Sequence, residues 1–414
     1  MNGRGLKRVF WLLGIVLFAV GLVGWYDRFA NGHRNANYGS FVTWGLWVAA
    51  YVFFMGLSAG SFLISSLVYV FRVKRFEKVA RLAVFTAVVT LLLGMLSISV
   101  DLGHMGRAYR VLIHPNFSSP MAWMIWAYLV YFVLLMTQFW LLIRADLARG
   151  ATNGGLRAAV CGMLTLRARD TSAESAERDL RKARVLAGIG LPVALMFPAG
   201  VGALFGVVAA QPAWHSGLFP VLFILSAVAS GAALLTVTAT VFQGGWRRNS
   251  ETVVALGRVV LVALALVVLC EASEFLVGLY GGVPGHVHAL GLVLSGPYWW
   301  VFWVWQLALG AVIPILLLSL PTRNDPRMVS LAGLLVAVGF VGVRLNIVIP
   351  SLAGEELRGL SEAFVSGRLQ TSYFPSSTEW LLMAGVVGLG LLLFGVGETL
   401  LPESSDDLST AAEA

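Results

Sequence analysis

Runs of about twenty apolar residues recur along almost the whole chain, and this feature limits the fold more than any other. A run of that length can cross the hydrocarbon core of a bilayer as a helix. Short alternating strands, which a membrane barrel needs, do not appear. The sequence therefore predicts an all-α polytopic membrane protein with about ten transmembrane helices. The runs are Val9–Tyr26, Val42–Phe71, Val79–Val100, Met121–Ile143, Val185–Ala210, Leu218–Phe242, Val253–Tyr280, Tyr298–Leu320, Met328–Pro350 and Trp380–Leu401.

Composition supports a chain surrounded by lipid. Of the 414 residues, 58% are hydrophobic and 12% are charged, whereas a soluble protein carries about twice that charge. The net charge of +8 is explained by basic loops, and no segment resembles a nucleic-acid-binding module, so we expect no nucleic-acid partner. Cys161 and Cys270 are too few to hold an iron–sulfur cluster, and they imply no disulfide framework.

The distribution of basic residues predicts the orientation. If the N-terminus is cytoplasmic, 22 of the 29 Lys and Arg residues fall in inner segments and six in outer ones. Because inner loops are enriched in Lys and Arg, both termini are predicted to be cytoplasmic. One inner segment, residues 144–184, contains Thr171-Ser-Ala-Glu174, and basic residues follow this motif. That capping-box pattern predicts a short helix on the membrane surface. The alternative is a disordered basic loop.

Two sequence patterns occur twice in the same order. Ser58-Ala-Gly60 recurs as Ala229-Ser-Gly231, and Pro120-x-x-Trp123 recurs as Pro297-x-x-Trp300. Small residues permit close helix packing, while the Trp residues are equally typical of interface anchors. The repetition predicts two related four-helix bundles with the same sense in the membrane. The expected domains are 1–41 (N-terminal helix and outer loop), 42–210 (first bundle), 211–350 (second bundle), 351–401 (outer loop and C-terminal helix) and 402–414 (disordered acidic tail).

A polar segment separates the third run from the fourth. It begins with Asp101 and His104 and continues through Arg107, Arg110 and His114. Ionisable groups at the mouth of a membrane bundle cost free energy unless they are paired or used. One interpretation is the rim of a site that exchanges protons with a lipid-soluble carrier, a quinone. The alternative is a solvated loop at the end of a helix.

Quinol oxidation releases two protons, and a carboxylate and a histidine are suited to accept them. Asp101 and His104 are three residues apart, so they share a face if the helix continues through them. They are the candidate catalytic residues. Together with Arg107, Tyr128 and Tyr131, they are also the candidate residues for binding the quinone, because the tyrosines can hydrogen-bond to its ring or stack on it.

Three further ionisable residues fall inside later runs. Glu271 and Glu274 share one helix face, and Arg344 is expected at a similar depth. A charge inside a span costs about 2.5–3.5 kcal/mol, so Arg344 is predicted to pair with one of the glutamates. The three are candidates for a proton path, but a purely structural pair explains them too. Glu379 has a simpler explanation, because Ser376-Ser-Thr-Glu379 is a capping box that opens the tenth run.

No redox metal is predicted in this chain. A haem within the bilayer needs two facing histidines inside spans, and the histidines all fall outside the centres of the runs. His286-x-His288 in a Gly-rich loop is weak evidence for a metal site, so no metal-binding residues are assigned. Electrons taken from a carrier must therefore leave to another subunit.

These motifs together resemble a known family. Gly56-Leu-Ser-Ala-Gly60, Asp101-Leu-Gly103 with its following arginine, and His114-Pro-Asn116 resemble the NrfD/PsrC family of quinone-interacting membrane subunits. The ten runs, Arg344-x-Asn346 and the segment Tyr373–Trp380 are closer to its ten-helix branch, which includes the HybB-, DsrP- and ActC-type subunits. The common family pattern continues from Asp-Leu-Gly into Arg-Pro, whereas this chain has His104-Met.

The resemblance implies two four-helix bundles without haem in a bacterial or archaeal cytoplasmic membrane. It implies a menaquinone or ubiquinone site near the periplasmic face, with Asp101 matching the family's acidic residue. It also implies a periplasm-facing, ferredoxin-like iron–sulfur partner and, through it, a catalytic or cytochrome subunit. Proton translocation is proposed for some relatives. The expected function is the membrane subunit of a respiratory oxidoreductase; the alternatives are a secondary transporter using Glu271, Glu274 and Arg344, or a structural anchor.

Overall fold

The computed structural model of the chain describes residues 3–152, 155–243, 246, 249–354, 359, 363, 366 and 368–400. Ten helices in these ranges are long and apolar enough to cross a membrane, and the same ranges contain no strand. This confirms the prediction of an all-α polytopic membrane protein. The acidic tail, residues 402–414, lies outside the described residues.

The helices agree with the apolar runs but extend beyond several of them. In chain order they are α1 (Gly3–Asn31), α2 (Leu46–Tyr69), α3 (Glu77–Asp101), α4 (Arg110–Ile113), α5 (Pro120–Gly150), α6 (Gly155–Leu164), α7 (Ala173–Gly206), α8 (Phe219–Phe242), α9 (Ser250–Gly281), α10 (Pro284–Leu294), the π-helix (Val301–Val312), α11 (Ile313–Ser319), α12 (Pro326–Leu352) and α13 (Ser377–Leu400). Helices α4, α6 and α10 are too short to cross a membrane, and the π-helix continues into α11 to form one crossing.

Local sequence determines where several helices begin. Pro120 opens α5, and the Ser119 side chain accepts a hydrogen bond from a backbone N–H of the first turn. Pro326 opens α12 in the same way, with Asp325 as the accepting residue. Proline suits the first helical position because its missing N–H would have no partner there. Both helices therefore begin within two residues of the predicted starts.

The expected short surface helix near Glu174 is not a separate element. The Ser172 side chain caps the helix by accepting a hydrogen bond from the Ser175 N–H, and α7 then runs without a break from Ala173 to Gly206. The basic residues of this region therefore lie on the first turns of a membrane-crossing helix. The prediction of a short helix was wrong because a cap marks the start of a helix but not its end.

Helix α2 lies at the centre of the molecule. It packs against α3, α7 and α8, while α8 also packs against α9 and α12. The π-helix packs on α12, and α1 packs along α13, which also contacts α3. The division into bundles at residues 42–210 and 211–350 stays a prediction.

The two glycines matched in the sequence repeat lie against each other where α2 meets α8. A Cβ atom at Gly60 would lie 1.8 Å from the Ala227 carbonyl oxygen, and one at Gly231 would lie 2.5 Å from the Gly60 carbonyl carbon. No side chain fits at either position, so the two backbones are in direct contact. Small residues that allow such an approach are typical of membrane helix pairs.

Candidate functional site

Asp101 is the last residue of α3, and the chain leaves the helix immediately after it. Leu102 is already extended, with φ −63° and ψ 126°. His104 and Arg107 lie on the exposed turn that follows and do not share a helix face with Asp101. The expected alignment of Asp101 with His104 needed a helix that continues through both, and the helix ends too early.

The side chains around Asp101 come from other parts of the chain. Tyr38 donates a hydrogen bond from its hydroxyl to Asp101 Oδ1 at 2.8 Å. The His33 ring lies 5.7 Å from the Tyr38 ring and 5.7 Å from the Trp47 ring, measured between centroids. Asp101 is therefore placed in an aromatic setting by the segment between α1 and α2. We call this end of the molecule the Asp101 end.

Arg28, near the end of α1, lies next to the same group. Its side chain is 3% exposed. Its Nε donates to the Val100 carbonyl oxygen at 2.7 Å, and its Nη2 donates to the Leu102 carbonyl oxygen at 2.7 Å. These two carbonyls flank Asp101 in the chain. The guanidinium also lies 5.8 Å from the Trp47 ring centroid.

Glu379 completes this end of the molecule from α13 and is fully buried. Its Oε1 accepts hydrogen bonds from the N–H groups of Asn37 at 2.9 Å and Ser376 at 3.2 Å. The Tyr373 hydroxyl donates to Oε2. In return, Ser376 Oγ accepts from the Glu379 N–H at 3.3 Å. The capping box predicted for this sequence is confirmed, and it buries a carboxylate whose two oxygens both accept hydrogen bonds.

Burial changes the protonation of the groups outside the helices. It lowers the pKa of His33, an effect that the Arg28 cation reinforces and that an interaction with the Asp101 backbone opposes. Burial also raises the pKa of Tyr38 and Tyr373, and the neighbouring carboxylates Asp101 and Glu379 raise both further. His33 is therefore held neutral, and both tyrosines keep their protons as hydrogen-bond donors.

Tyr128 and Tyr131 lie deeper in the molecule than Asp101. Tyr128 is eight residues beyond the start of α5, which is about 12 Å along the helix axis. Its hydroxyl donates to the Leu91 carbonyl oxygen at 3.4 Å. Tyr131 is fully buried, and its hydroxyl lies 3.2 Å from Ser58 Oγ. The contacts described for the two tyrosines are made within the helix packing and do not include Asp101.

A second polar network lies between α9, α12 and the π-helix. Gln306 donates from Nε2 to Glu271 Oε2 at 3.0 Å and accepts from Asn346 Nδ2 at 2.7 Å. Glu274, one turn along α9, accepts a hydrogen bond of 2.5 Å from the Ser216 hydroxyl. The glutamates predicted to share a helix face therefore have different polar partners, each supplied by another segment.

Arg344 is buried close to this network but forms no direct ion pair with Glu271 or Glu274 among the described residues. Its side chain is 2% exposed, its Nη2 donates to Ser226 Oγ at 2.5 Å, and its guanidinium lies 4.5 Å from the Phe223 ring centroid. Nε and Nη1 have no hydrogen-bond partner in the part of the chain that is described. The predicted direct pairing of Arg344 with a glutamate was therefore wrong. Arg344 lies where α12 packs on α2 and α8, and its guanidinium binds Ser226 of α8 instead. Arg344 and Glu271 interact electrostatically over a longer distance.

A cavity of about 90 Å³ borders the second network. Its polar lining comes from Glu271, Glu274, His286, Gln306 and Asn346, and the remainder is mostly apolar. The π-helix contributes Gln306 to this lining. π-Helices are rare and frequently occur at functional sites, and one of twelve residues is unusually long. The cavity is large enough for several water molecules.

The sequence interpretation missed most of the side chains that surround Asp101. These residues are Arg28, His33, Tyr38, Trp47, Tyr373 and Glu379. One signal was available for Arg28, because a cation at the end of an apolar run is costly unless it has a partner. The capping box predicted the start of a helix at Glu379 but not its position near Asp101. The others lacked a local signal, because helix packing brings them close to Asp101 from residues far away in the chain; Tyr38, for example, is 63 residues from Asp101.

Metal-ligating side chains are dispersed in the structure. In the ranges described, no group of three or more His, Cys, Asp and Glu side chains is placed to hold a metal ion. His286 and His288 lie on α10, where His286 faces the cavity and contacts α9 at Gly278. Burial lowers the pKa of His286, and Glu274 opposes that shift.

Comparison with known proteins shows which family this chain is similar to. The family model described as polysulphide reductase, NrfD, matches residues 34–354. The C subunit of selenate reductase from Mesobacillus selenatarsenatis is 34% identical over 403 residues, which cover 96% of this chain and 94% of that protein. A putative membrane subunit of dimethyl sulfoxide reductase from Halobacterium salinarum is 30% identical over 419 residues, covering 97% and 91%.

A third relative has an electron carrier in its name. The Hdr-like menaquinol oxidoreductase integral membrane subunit of Archaeoglobus fulgidus is 28% identical over 407 residues, covering 94% of this chain and 93% of that protein. All three matches extend over nearly the full length of both partners. They agree with the family resemblance seen in the sequence motifs. This multi-pass membrane protein belongs to the NrfD/polysulphide reductase family.

Proposed function

We propose that this chain is the quinone-reactive membrane subunit of a respiratory oxidoreductase complex in a bacterial or archaeal cytoplasmic membrane. The observation that carries the proposal is the position of Asp101. Its carboxylate lies at the end of a membrane-crossing helix, partly exposed and held by the Tyr38 hydroxyl in an aromatic setting. The names of the relatives, which include a menaquinol oxidoreductase subunit and reductase subunits, support this assignment.

The chemistry is the two-electron oxidation of a quinol or its reverse. In the oxidative direction both O–H bonds of the quinol break and two protons pass to the protein. The two electrons would leave one at a time to iron–sulfur clusters of a partner subunit. Asp101 is the proposed acceptor of one proton, and His104 is the proposed acceptor of the other. Arg107 is a proposed contact of the carrier. Tyr128 and Tyr131 stay proposed contacts as well, and because both are packed between helices they would meet only a part of the carrier that enters there. Either menaquinone or ubiquinone fits these requirements.

The exposed segment after Asp101 is the proposed contact with that partner. It presents Tyr109, Ile113 and Phe117 with 54%, 61% and 48% of their surface exposed. Arg107 and Arg110 are exposed on the same segment. Exposed apolar side chains surrounded by polar ones are typical of interaction sites. A ferredoxin-like iron–sulfur subunit on this face would lie within reach of a carrier bound at Asp101, and would pass electrons to a catalytic or cytochrome subunit.

Substitution in the assembled complex tests this proposal. Asp101→Asn keeps the shape of the side chain but removes the proton acceptor, and we expect quinol-linked turnover to fall by about 100-fold or more. His104→Ala is expected to reduce it by about 10-fold, because one acceptor remains. Asp170→Asn, an exposed carboxylate at the opposite end, is the control. Unchanged turnover in both site variants, with normal assembly, would contradict the proposal.

We infer that the second network provides a proton path through the same subunit. Glu271 and Glu274 line a cavity, and Arg344 has two unpartnered nitrogens in the described part of the chain. Polar groups at that depth that are only partly satisfied are typical of proton and ion routes. Proteoliposomes holding the complex with Glu271→Gln should keep quinol turnover when uncoupled but pump fewer protons per electron. An unchanged ratio would remove the path from the proposal.

The same cavity is the feature that favours the alternative, a secondary transporter that uses Glu271, Glu274 and Arg344. Purification separates the two. An oxidoreductase subunit should be isolated with an iron–sulfur protein and should oxidise a quinol analogue in that assembly. A chain isolated alone, without bound cluster protein and with solute uptake in proteoliposomes, would favour transport. Co-purification without quinol-analogue binding would indicate a structural anchor.

A further inference from the structure

The two helices at the ends of the chain pack together and reach the Asp101 site. Helices α1 and α13 lie outside the part that matches the family model, residues 34–354. They pack closely, since a Cβ atom at Gly21 would lie 2.1 Å from Gly385 Cα. Arg28 comes from α1 and Glu379 comes from α13, and both lie near Asp101. This pair therefore contributes charged groups as well as apolar surface.

Arg28 holds the backbone on both sides of Asp101. The last carbonyl groups of a helix have no partner within the helix and carry its negative dipole end. The Arg28 side chain donates to the Val100 and Leu102 carbonyl oxygens, at 2.7 Å each. A planar guanidinium can make both bonds at once, whereas a lysine ammonium has no such fork. The direction in which the Asp101 side chain leaves α3 therefore depends on α1.

Arg28 also supplies the positive charge that interacts with the Asp101 carboxylate. Within the described residues the two side chains do not form a direct ion pair, but they interact electrostatically. The other groups that face Asp101 are His33 and Tyr38 from the segment after α1, Tyr373 from the segment before α13, and Glu379 from α13. Of these, the Glu379 carboxylate disfavours a negative charge on Asp101. Arg28 is the cation that offsets this repulsion between the two carboxylates.

We propose that Arg28 is a positioning residue and counter-charge for Asp101, and that the α1–α13 pair completes the quinone site. The inference rests on the proposed function of Asp101 as a proton acceptor. A carboxylate can take a proton from a bound hydroxyl only if it is ionised when the carrier arrives. The buried cation favours that ionised form, and its two hydrogen bonds hold the backbone from which the carboxylate projects.

The test compares Arg28→Gln and Arg28→Lys in the assembled, membrane-bound complex. Arg28→Gln should lower quinol-linked turnover by at least about 10-fold and move the acid limb of its pH profile to higher pH, because the protonated carboxyl is favoured without the cation. Arg28→Lys should keep the acid limb near its wild-type position and lower kcat alone, because it keeps the charge but loses the fork. Arg34→Gln, an exposed arginine six residues along the chain, should leave both unchanged.

The outcomes separate this inference from the proposed function. A merely structural role would lower the amount of assembled complex without moving the pH profile. If Arg28→Gln assembles normally with a wild-type profile, the inference is overturned. If Arg28→Gln does not accumulate in membranes, the Arg28→Lys variant provides the test. A wild-type kcat together with a wild-type pH profile in Arg28→Lys would contradict the positioning role. Unchanged turnover in Asp101→Asn would instead remove the proposed function, whatever the Arg28 variants do.

Discussion

Two buried charged residues, Glu379 and Arg344, differ in how many hydrogen-bond partners they have. Glu379 accepts hydrogen bonds on both carboxylate oxygens, two of them from backbone N–H groups. Arg344 is equally buried but uses one of its three nitrogens in the contacts described. A polar group without partners in an apolar medium costs free energy, so it persists where it has a use. By this criterion Glu379 supports the structure, and Arg344 is the better candidate for function.

Loss of the Glu379 carboxylate is expected to destabilise the protein. In Glu379→Ala the N–H groups of Asn37 and Ser376 and the Tyr373 hydroxyl lose a buried acceptor, and we expect a loss of about 3 kcal/mol. The melting temperature of the purified complex measures this. Glu177→Ala, an exposed glutamate on α7, is the control. Equal melting temperatures for the two variants would contradict the structural role of Glu379.

Protonation of His33 is expected to weaken the folded state. Its pKa lies below the ordinary value of 6.5, chiefly because it is buried. As the pH falls below 6.5, the unfolded chain takes up this proton first, so stability is retained above that pH and lost between it and the lowered pKa. In His33→Gln the melting temperature should therefore fall less between about pH 7 and pH 5.

Exposed His114 provides the comparison for that measurement, because its substitution leaves the buried imidazole in place. His114→Gln should show the same fall in melting temperature as the unmodified protein over that range. Parallel curves for His33→Gln and the unmodified protein would show that His33 does not contribute to the acid sensitivity.

At the scale of single residues, local sequence was informative only where the interaction is local. The capping box at Ser376–Glu379 was predicted because its two partners are three residues apart. The pairing of Arg344 with a glutamate failed because depth along a helix does not determine the direction of a side chain. Tyr38 was missed because its partner, Asp101, is 63 residues away in the chain.

At the scale of helices, the close contact between α2 and α8 depends on two glycines. Gly60→Ala places a Cβ atom against the Ala227 carbonyl oxygen, and overpacking of this kind costs about 1–3 kcal/mol. We expect a lower melting temperature and less assembled complex in membranes. Gly188→Ala on α7 is the matched control, because nothing lies within 4 Å of the added atom and alanine favours the helix. A Gly60→Ala variant as stable as Gly188→Ala would contradict the packing.

The π-helix could not be predicted as such from sequence patterns. Its apolar run predicts a crossing but not its hydrogen-bonding pattern, because a change from i→i+4 to i→i+5 hydrogen bonds leaves the composition unchanged. Its course brings Gln306 between Glu271 and Asn346. The second network therefore depends on a backbone geometry that could not be predicted from the spacing of its residues.

At the scale of the whole molecule, the orientation in the membrane follows from charge. With 22 basic residues in the segments predicted to be inner and six in the outer ones, both termini are expected in the cytoplasm. In a background with Cys161 and Cys270 replaced by serine, a cysteine at Ser118 should react with an impermeant maleimide added to intact cells. A cysteine at Arg169 should react only after the cells are opened. The reverse pattern would place the Asp101 end in the cytoplasm and contradict the proposed site.

The sequence by itself determined the class of fold, the number of crossings and the family, because hydrophobic length and short motifs are properties of contiguous residues. It also singled out Asp101, since a carboxylate at the end of an apolar run is unusual. Only the tertiary structure decided which side chains surround that carboxylate. Arg28 and Tyr38 come from the chain around the end of α1, and Glu379 comes from α13. Helix packing brings both segments to Asp101, and such packing leaves no periodic pattern in the sequence.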